Sequence, residues 1–320
     1  MLKKIILVSA CLAFNLMAQE DDENVKADSM SYEKPNEWQI FASDAPVTAF
    51  AVQGNLLWYA TEQSVYSTSL TAKDVRSYST LGNISGEGIV SIATDSKGQV
   101  WFAGSNGIAV RTGNTFTSYT TENGIPDNAV NDVLCTSDGK VWIGTNNGAA
   151  VLEGGKWKVY TTKEGLSHNK VNVLMADKDN AIWFGTEKGI SVLSGSSWKI
   201  HDMKSGLSWN SVKAMTLDAR KNTVWIAVGE KDVNCYSKGK WNTYMDIMPD
   251  IKDIMADSQS RIWFGSTTGY IKFNGDEWIS DQKKNGVPAA QVRKMYKDAK
   301  NNLWFAIETG VLRLSNPYPF

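Results

Sequence analysis

The chain has 320 residues, of which 42% are hydrophobic and 21% charged, as expected of a globular protein. Its 33 basic and 34 acidic residues leave a net charge of −1. There is no basic excess to neutralise phosphates, so no nucleic-acid partner is expected. Tryptophan is the unusual component, since 13 copies are far more than an average chain carries.

The N-terminus has the features of a secretory signal peptide. A short positive region, Met1–Lys4, precedes an apolar run over residues 5–14, and Ala18 supplies a small residue at a cleavage site. We therefore expect release after Ala18 and export, to the periplasm or outside the cell. The alternative is a lipoprotein signal with a lipid anchor on Cys11. No other stretch approaches the ~20 apolar residues of a membrane span.

Cleavage after Ala18 would leave a leader over residues 19–35 that is polar, acidic and free of periodicity. Such a composition predicts a flexible segment rather than a domain. Two cysteines would remain, Cys135 and Cys235, in non-adjacent repeats. We expect both to be buried free thiols.

A tryptophan motif recurs about every 41 residues from position 58 onward. It is written QVWFAGSNGIAV, KVWIGTNNGAAV and AIWFGTEKGISV in its clearest copies. Because one structural position recurs in each copy, we expect these indoles to pack between neighbouring sheets. The seven anchors are Trp58, Trp101, Trp142, Trp183, Trp225, Trp263 and Trp304.

Each repeat predicts four short strands. An apolar strand comes first, followed by a turn that often has Asp six residues before the Trp, such as Asp95 or Asp177. The Trp strand ends at a hairpin with Gly six residues after the Trp, where a positive φ is expected. A third strand and a fourth with a second aromatic complete about 40 residues.

The two ends of the chain predict ring closure. The last repeat lacks its fourth strand, and a spare copy of that strand stands at the front, where Glu37 to Phe41 around Trp38 match Lys156 to Tyr160. A strand from the N-terminus can complete the last blade and remove the open edges. We therefore predict an all-β fold over residues 36–320, a single seven-bladed β-propeller of four-stranded antiparallel blades.

The repeat resembles the two-component regulator propeller family. Asp95–Gly107, Ser137–Gly148 and Asp177–Gly189 carry the pattern best, and Gly124–Pro126 and Gly286–Pro288 match its turn. The resemblance covers roughly residues 37–315. It implies a periplasmic sensing propeller of the kind found in hybrid histidine kinases, where such rings are associated with glycans. This chain shows one ring and no kinase, so a sensory role is implied by analogy alone.

The sequence contains no recognisable catalytic motif, and we expect no enzyme activity, metal or cofactor. The two histidines, His168 in a blade-to-blade loop and His201 on a fourth strand, are linked by no motif, whereas a metal site needs several converging ligands. Streptogramin lyases are the enzymatic alternative, because their propellers have a similar Trp strand. Their chemistry uses histidine and magnesium, and His168 and His201 show no clear match to that arrangement.

One candidate ligand site lies in the blade-to-blade loops. Trp209 is the one tryptophan outside both repeat positions, and an exposed aromatic beside amides is typical of sugar recognition. The alternative is that the amides stabilise loop turns and Trp209 packs on a neighbouring loop. The loop set is Asp127, Asn128, His168, Asn169, Trp209 and Asn210.

A second candidate site lies where the inner strands begin, on the same face. Charges of mixed sign at the channel mouth are suited to a carboxylated or polyhydroxylated ligand, although they are equally suited to mutual salt bridges. The inner-strand set is Asn131, Asp132, Asn172, Lys213, Lys252, Asp253, Arg293 and Lys294.

The sequence thus favours a non-catalytic exported propeller that binds a glycan or a small polar molecule. The alternative from another class is a protein-interaction platform within a cell-envelope assembly, with an envelope protein as partner.

Overall fold

The computed structural model describes residues 37–72, 74–280 and 291–315, with the backbone alone for Glu37 and Trp38. The predicted signal peptide, the leader, the cysteine at position 11 and the turn at 286–288 lie outside the described residues.

Seven four-stranded antiparallel sheets form the blades of a propeller, which confirms the predicted fold. The first three blades comprise β2 Ala49–Gln53, β3 Leu56–Ala60, β4 Val65–Ser69 and β5 Val75–Tyr78; β8 Ile89–Thr94, β9 Val100–Gly104, β10 Gly107–Thr112 and β11 Thr115–Tyr119; and β12 Val130–Cys135, β13 Val141–Thr145, β14 Gly148–Glu153 and β15 Lys156–Tyr160.

The next three blades comprise β16 Val171–Ala176, β17 Ile182–Thr186, β18 Gly189–Ser194 and β19 Ser197–His201; β20 Val212–Asp218, β21 Thr223–Val228, β22 Asp232–Ser237 and β23 Lys240–Tyr244; and β24 Ile251–Ala256, β25 Ile262–Ser266, β26 Gly269–Phe273 and β27 Trp278–Ile279. The seventh blade comprises β28 Lys294–Lys297, β29 Leu303–Ile307, β30 Gly310–Ser315 and β1 Glu37–Ala42. The inner strand of each blade contacts the inner strand of the next, and β28 contacts β2.

The connections contain little further regular structure. A small hairpin, β6 Thr80–Leu81 with β7 Ile84–Ser85, lies between the first two blades. Within the described part of the chain, the helical turns are two short 3-10 helices, Thr121–Asn123 and Met203–Ser205. Across the described ranges, no helix has the length and apolar character needed to cross a membrane.

The N-terminal strand closes the ring. β1 pairs antiparallel with β30, in a register that sets Phe41 opposite Val311. The Phe41 ring stacks on Trp304, with centroids 5.8 Å apart. The seventh blade therefore takes its fourth strand from the front of the chain, as the spare copy around Trp38 predicts.

The seven repeat tryptophans are all buried, each with at most 6% of its surface exposed. Several of these indole rings make edge-to-face contacts with an aromatic ring of the following blade. Trp58 meets Phe102 at a centroid distance of 5.5 Å, and Trp142 meets Phe184 at 5.6 Å. Such contacts add to the apolar area that the indoles bury between blades.

The aspartate before the Trp strand stabilises both its turn and the buried indole. One oxygen of Asp177 accepts the backbone N–H groups of Asp179 and Ala181 at 2.9 and 3.0 Å. The other oxygen accepts the Trp183 indole N–H at 2.9 Å. The turn bonds confirm the sequence prediction, and the indole bond adds to it. The same indole bond joins Asp95 to Trp101, Asp257 to Trp263 and Asp298 to Trp304.

The two cysteines differ in burial. Cys235 is buried, as predicted, but Cys135 is only partly buried, so the prediction of a buried thiol is wrong there. Cys135 ends β12 and lines a cavity among the inner strands. Desolvation, with a smaller contribution from Asp95, raises the pKa of Cys135 to about 12, so its thiol is protonated at neutral pH.

Replacing Asp177 with Ala is expected to lower the free energy of unfolding by about 1–3 kcal/mol, because a buried indole N–H and two turn amides lose their acceptor. Asp179→Ala is the matched control, since among the described residues the Asp179 side chain bonds only the exposed Lys178 and such pairs contribute little. Urea denaturation measures both variants. Equal loss in the two would contradict this role for Asp177.

Candidate functional site

The asparagines of the loop set hold the blade-to-blade loops together. The side-chain oxygen of Asn210 accepts the Met203 N–H at 2.9 Å, seven residues earlier, and its backbone carbonyl accepts the Gly189 N–H at 2.7 Å. Asn128 and Asn169 make the same two kinds of bond in their own loops. Their side-chain oxygens are thus already engaged in loop bonds, which favours the structural interpretation for this trio.

The residue before each asparagine behaves differently in the three loops. Asp127 accepts the Ala129 N–H at 2.8 Å, and the His168 Nδ1 atom accepts the Lys170 N–H at 3.1 Å. A tryptophan side chain has no acceptor, so Trp209 cannot close its loop in this way. It is instead the largest exposed aromatic of the described residues, with 56% of its surface accessible.

The Trp209 ring lies directly on Gly229, in the hairpin between β21 and β22. A Cβ atom built on Gly229 would be 2.8 Å from two atoms of the indole. Gly229 also has a φ of +59°, a conformation that side chains disfavour. Glycine at this position therefore allows the indole to pack closely against the hairpin.

Two departures from the repeat open the space beside Trp209. Five of the other blades place glycine at the start of the third strand, as at Gly148, where φ is +127°. The fifth blade has a hairpin one residue longer, and Asp232 stands at the glycine position. The following connection, residues 245–250, is four residues shorter than the equivalent connection at 202–211.

A recess of about 450 Å³ results, and it is lined by Trp209, Gly229, Glu230, Lys231, Asp232, Met245 and Asp246. Backbone bonds tie its two walls together, from Ile247 N–H to the Lys231 carbonyl at 3.1 Å and from Asp250 N–H to the Glu230 carbonyl at 2.8 Å. Its apolar surface comes from an indole and from Met245, which is 67% exposed. We call this site the Trp209 recess.

The carboxylate of Asp232 is incompletely bonded. Asp232 is 5% exposed; its Oδ1 atom accepts the Asp246 N–H at 3.2 Å, and its buried Oδ2 atom has no partner among the described residues. A neighbouring hairpin carboxylate, Glu187, is by contrast fully engaged. Burial alone would raise its pKa, but hydrogen bonds from Lys170, Ser211 and Asn172 lower the pKa of Glu187 to about 2.

Four members of the inner-strand set occupy β-bulges. The pairing register shifts around Asn131, Asn172, Lys213 and Lys252, and such bulges redirect a side chain. The redirected side-chain amides of Asn131 and Asn172 each donate a hydrogen bond of 2.9 Å to the next blade. The acceptors are the backbone carbonyls of Val171 and Val212, the first residues of the inner strands there. The two asparagines therefore join blades to one another.

The basic residues Lys213, Lys252 and Arg293 of the inner-strand set are arranged less uniformly. Lys252 forms a salt bridge with Asp250 at 2.8 Å, and Lys213 is exposed. Arg293 donates to Gln291 at 3.3 Å, while its Nε atom is buried and lacks a partner within the described part of the chain. These residues do not form one cluster of mutual salt bridges.

The two acidic members of the inner-strand set bond to neighbouring blades. Asp132 accepts the Ser91 hydroxyl at 2.7 Å and the Leu174 N–H at 2.8 Å, and so connects three blades. Asp253 accepts the Met295 N–H at 2.7 Å in the next blade. Asp132, Asp253 and Lys294 are brought together around a cavity of about 300 Å³. Although burial opposes it, the two aspartates raise the pKa of Lys294, so its charge is retained.

His201 belongs to the packing between blades. It is 4% exposed and stacks on Trp183, with centroids 5.9 Å apart and planes at 9°. Tyr160 takes the same place against Trp142, so His201 occupies an aromatic position of the repeat. Burial, with a smaller contribution from Lys199, lowers the pKa of His201 to about 4.

The described residues contain no group of three or more His, Cys, Asp or Glu side chains placed to hold a metal ion. His168 lies in a loop on the face of the ring and His201 between blades, and the structure shows no contact between them. Neither histidine is presented as part of a catalytic pair.

Sequence reasoning identified Trp209 but missed Gly229, Asp232, Met245 and the short connection beside it. The signal was present in two places. The repeat TVWIAVGEKDVN carries one residue more before its third strand, and the interval from Trp225 to Trp263 is 38 residues rather than about 41.

Comparison with known proteins agrees with the repeat and the fold. The family model described as "Two component regulator propeller" matches residues 124–147 and 165–188. No curated protein sequence matches the chain.

Solved structures with the same fold include proteins of several kinds. The extracellular domain of the hybrid two-component system BT3049 of B. thetaiotaomicron has a TM-score of 0.71 and 19% identity, over 88% of this chain and 42% of that one. Virginiamycin B lyase of Staphylococcus aureus has a TM-score of 0.70 and 17% identity, over 88% and 99%. PorZ of Porphyromonas gingivalis has a TM-score of 0.66 and 12% identity, over 91% and 48%. The chain spans about two fifths of the length of the sensor domains it matches.

Acid is expected to destabilise the protein through His201. Its folded-state pKa of about 4 lies below the ordinary value of 6.5, so the unfolded chain binds more protons between these values. This contribution to stability is complete above pH 6.5 and is lost as pH falls toward 4. His201→Tyr restores the aromatic of the repeat and should flatten the pH dependence of urea midpoints across this window. The same slope in variant and parent would contradict the assignment.

Proposed function

Since the chain carries two-component regulator propeller repeats on a seven-bladed ring, we propose that it is a non-catalytic, exported sensory or ligand-binding propeller. Its ligand is a glycan or a small polar molecule, bound on the face that carries the blade-to-blade loops. The Trp209 recess is the binding site, and the channel residues Asp132, Asp253 and Lys294 form a second candidate site on the inner strands.

The exposed indole of Trp209 is the observation that carries this proposal. Leaving a tryptophan more than half exposed gives up apolar burial that every repeat tryptophan obtains. The ring is nevertheless supported on one side, because it rests on Gly229. An exposed aromatic plane stacks on the C–H face of a sugar, while polar groups of the recess such as Glu230 and Asp232 bond hydroxyls.

The comparisons support the sensory part of the proposal. Structures of the same fold include extracellular domains of hybrid two-component systems. The similarity extends over about two fifths of those domains, so kinase output and the ligands of the longer proteins are not transferred to this chain.

A protein-interaction platform in a cell-envelope assembly is the second candidate. It is favoured by the similarity of fold to PorZ, a surface component of the type-IX secretion system. A lyase-like activity is less well supported, because His201 is buried between Trp183 and Trp241 and cannot serve a ligand in the channel.

A panel of neutral and charged oligosaccharides should contain a member that raises the melting temperature of the protein, since a ligand of the native state stabilises it by mass action. Trp209→Ala is expected to weaken binding of that member by roughly tenfold or more, a loss of about 1.4 kcal/mol, through loss of ring stacking. Differential scanning fluorimetry and calorimetric titration measure the two quantities.

Met203→Ala is the matched control, because Met203 is 53% exposed in the same connection but does not line the recess. Its affinity should equal that of the parent. A panel without any effect, together with one stoichiometric partner recovered from envelope extract, would replace the glycan proposal with the interaction platform.

A further inference from the structure

We infer that the Trp209 recess selects a positively charged, amine-bearing ligand, such as an oligosaccharide with free amino groups, over acidic ligands. This inference rests on the proposed function and adds to it the sign of the ligand's charge.

The recess is acidic. Three of its lining residues carry carboxylates, Glu230, Asp232 and Asp246, against one ammonium group, that of Lys231. Lys231 already lies 3.6 Å from Asp246, so it neutralises one of the three. The adjacent Lys252 is paired with Asp250 and adds no net charge. About two negative charges therefore face the ligand.

The buried oxygen of Asp232 is the independent observation that points to a donor. Asp232 lines the recess, and its Oδ2 atom is buried without a hydrogen bond from the described residues. A carboxylate oxygen left without a donor is costly. An ammonium group brings three donors and the opposite charge, so it would satisfy this oxygen after a small rotation of the side chain.

The indole supplies a second favourable contact for the same ligand. The face of a tryptophan attracts a cation through its ring quadrupole, more strongly than tyrosine or phenylalanine. Trp209 forms one wall of the recess and the carboxylates of Glu230 and Asp232 stand beside it. An amine held between ring and carboxylate would make both contacts, and a carboxylate or sulfate group would meet repulsion from the same residues.

Three trisaccharides of similar size test the inference: a trimer of glucosamine, its N-acetylated counterpart and a trimer of galacturonic acid. Calorimetric titration at mildly acidic pH keeps the sugar amine protonated. The glucosamine trimer should bind about tenfold more tightly than the acetylated one, and this ratio should shrink at high salt because the contact is ionic. The galacturonic acid trimer should bind least.

Two variants connect the preference to the recess. Glu230→Gln and Asp232→Asn should each reduce the ratio between the amine and acetylated trimers by a factor of several. Glu122→Gln is the matched control, because Glu122 is an exposed acid in a blade-to-blade connection outside the recess. The exposed position of Glu230 makes its variant informative even if Asp232→Asn disturbs the hairpin.

The possible outcomes distinguish a failure of the charge inference from a failure of the proposed function. Equal binding of all three trimers, or a ratio unchanged in both recess variants, would overturn the charge inference while leaving the Trp209 recess as the binding site. Absence of binding by every trimer and by neutral oligosaccharides would overturn the proposal of a glycan ligand itself, and the inference with it.

Discussion

The blades depend on burying an indole between two sheets, and in five of them the indole N–H group has a side-chain acceptor. In four blades an aspartate solves this problem, since one carboxylate oxygen holds the turn and the other holds the indole. Gln53 serves Trp58 in the first blade. Trp142 is an exception, because Thr136 stands at the aspartate position and the indole nitrogen has no partner within the described residues. The sequence repeat therefore reflects the hydrogen bond to the indole N–H group as much as the apolar packing around the indole.

The fold could be predicted because its information is local and repeated. The Trp strand, the turn aspartate and the hairpin glycine lie within about twelve residues of one another, and seven copies allow weak copies to be recognised by strong ones. Ring closure could also be predicted, because the missing fourth strand and the spare one around Trp38 have the same pattern. The contacts between blades could not be predicted from the sequence. That Asn131 and Asn172 join neighbouring blades depends on the bulges that aim their side chains, and no local pattern shows a bulge.

The candidate site was predictable only where it breaks the repeat. Trp209 is conspicuous because two neighbouring loops have a capping residue, Asp127 or His168, at its position. The partners of Trp209 come from a hairpin and from a connection that lie 20 to 40 residues further along the chain. They lie beside Trp209 only because the propeller fold brings these segments together. The same comparison separates the asparagines from Trp209, since their side-chain oxygens are already bonded within the loops. An insertion of one residue and a shortening of four have therefore converted a repeated surface into a recess.

The proposed binding site requires a ligand in the space between Trp209 and Met245, and hydroxyl-radical footprinting measures that occupancy most directly. Both side chains are exposed and readily oxidised, and Met203 provides an exposed reference in the connection that carries Trp209. With the glucosamine trimer at saturation, oxidation of Trp209 and Met245 should fall severalfold while that of Met203 is unchanged. Bound trimer with undiminished oxidation of Trp209 and Met245 would show that the ligand site lies elsewhere.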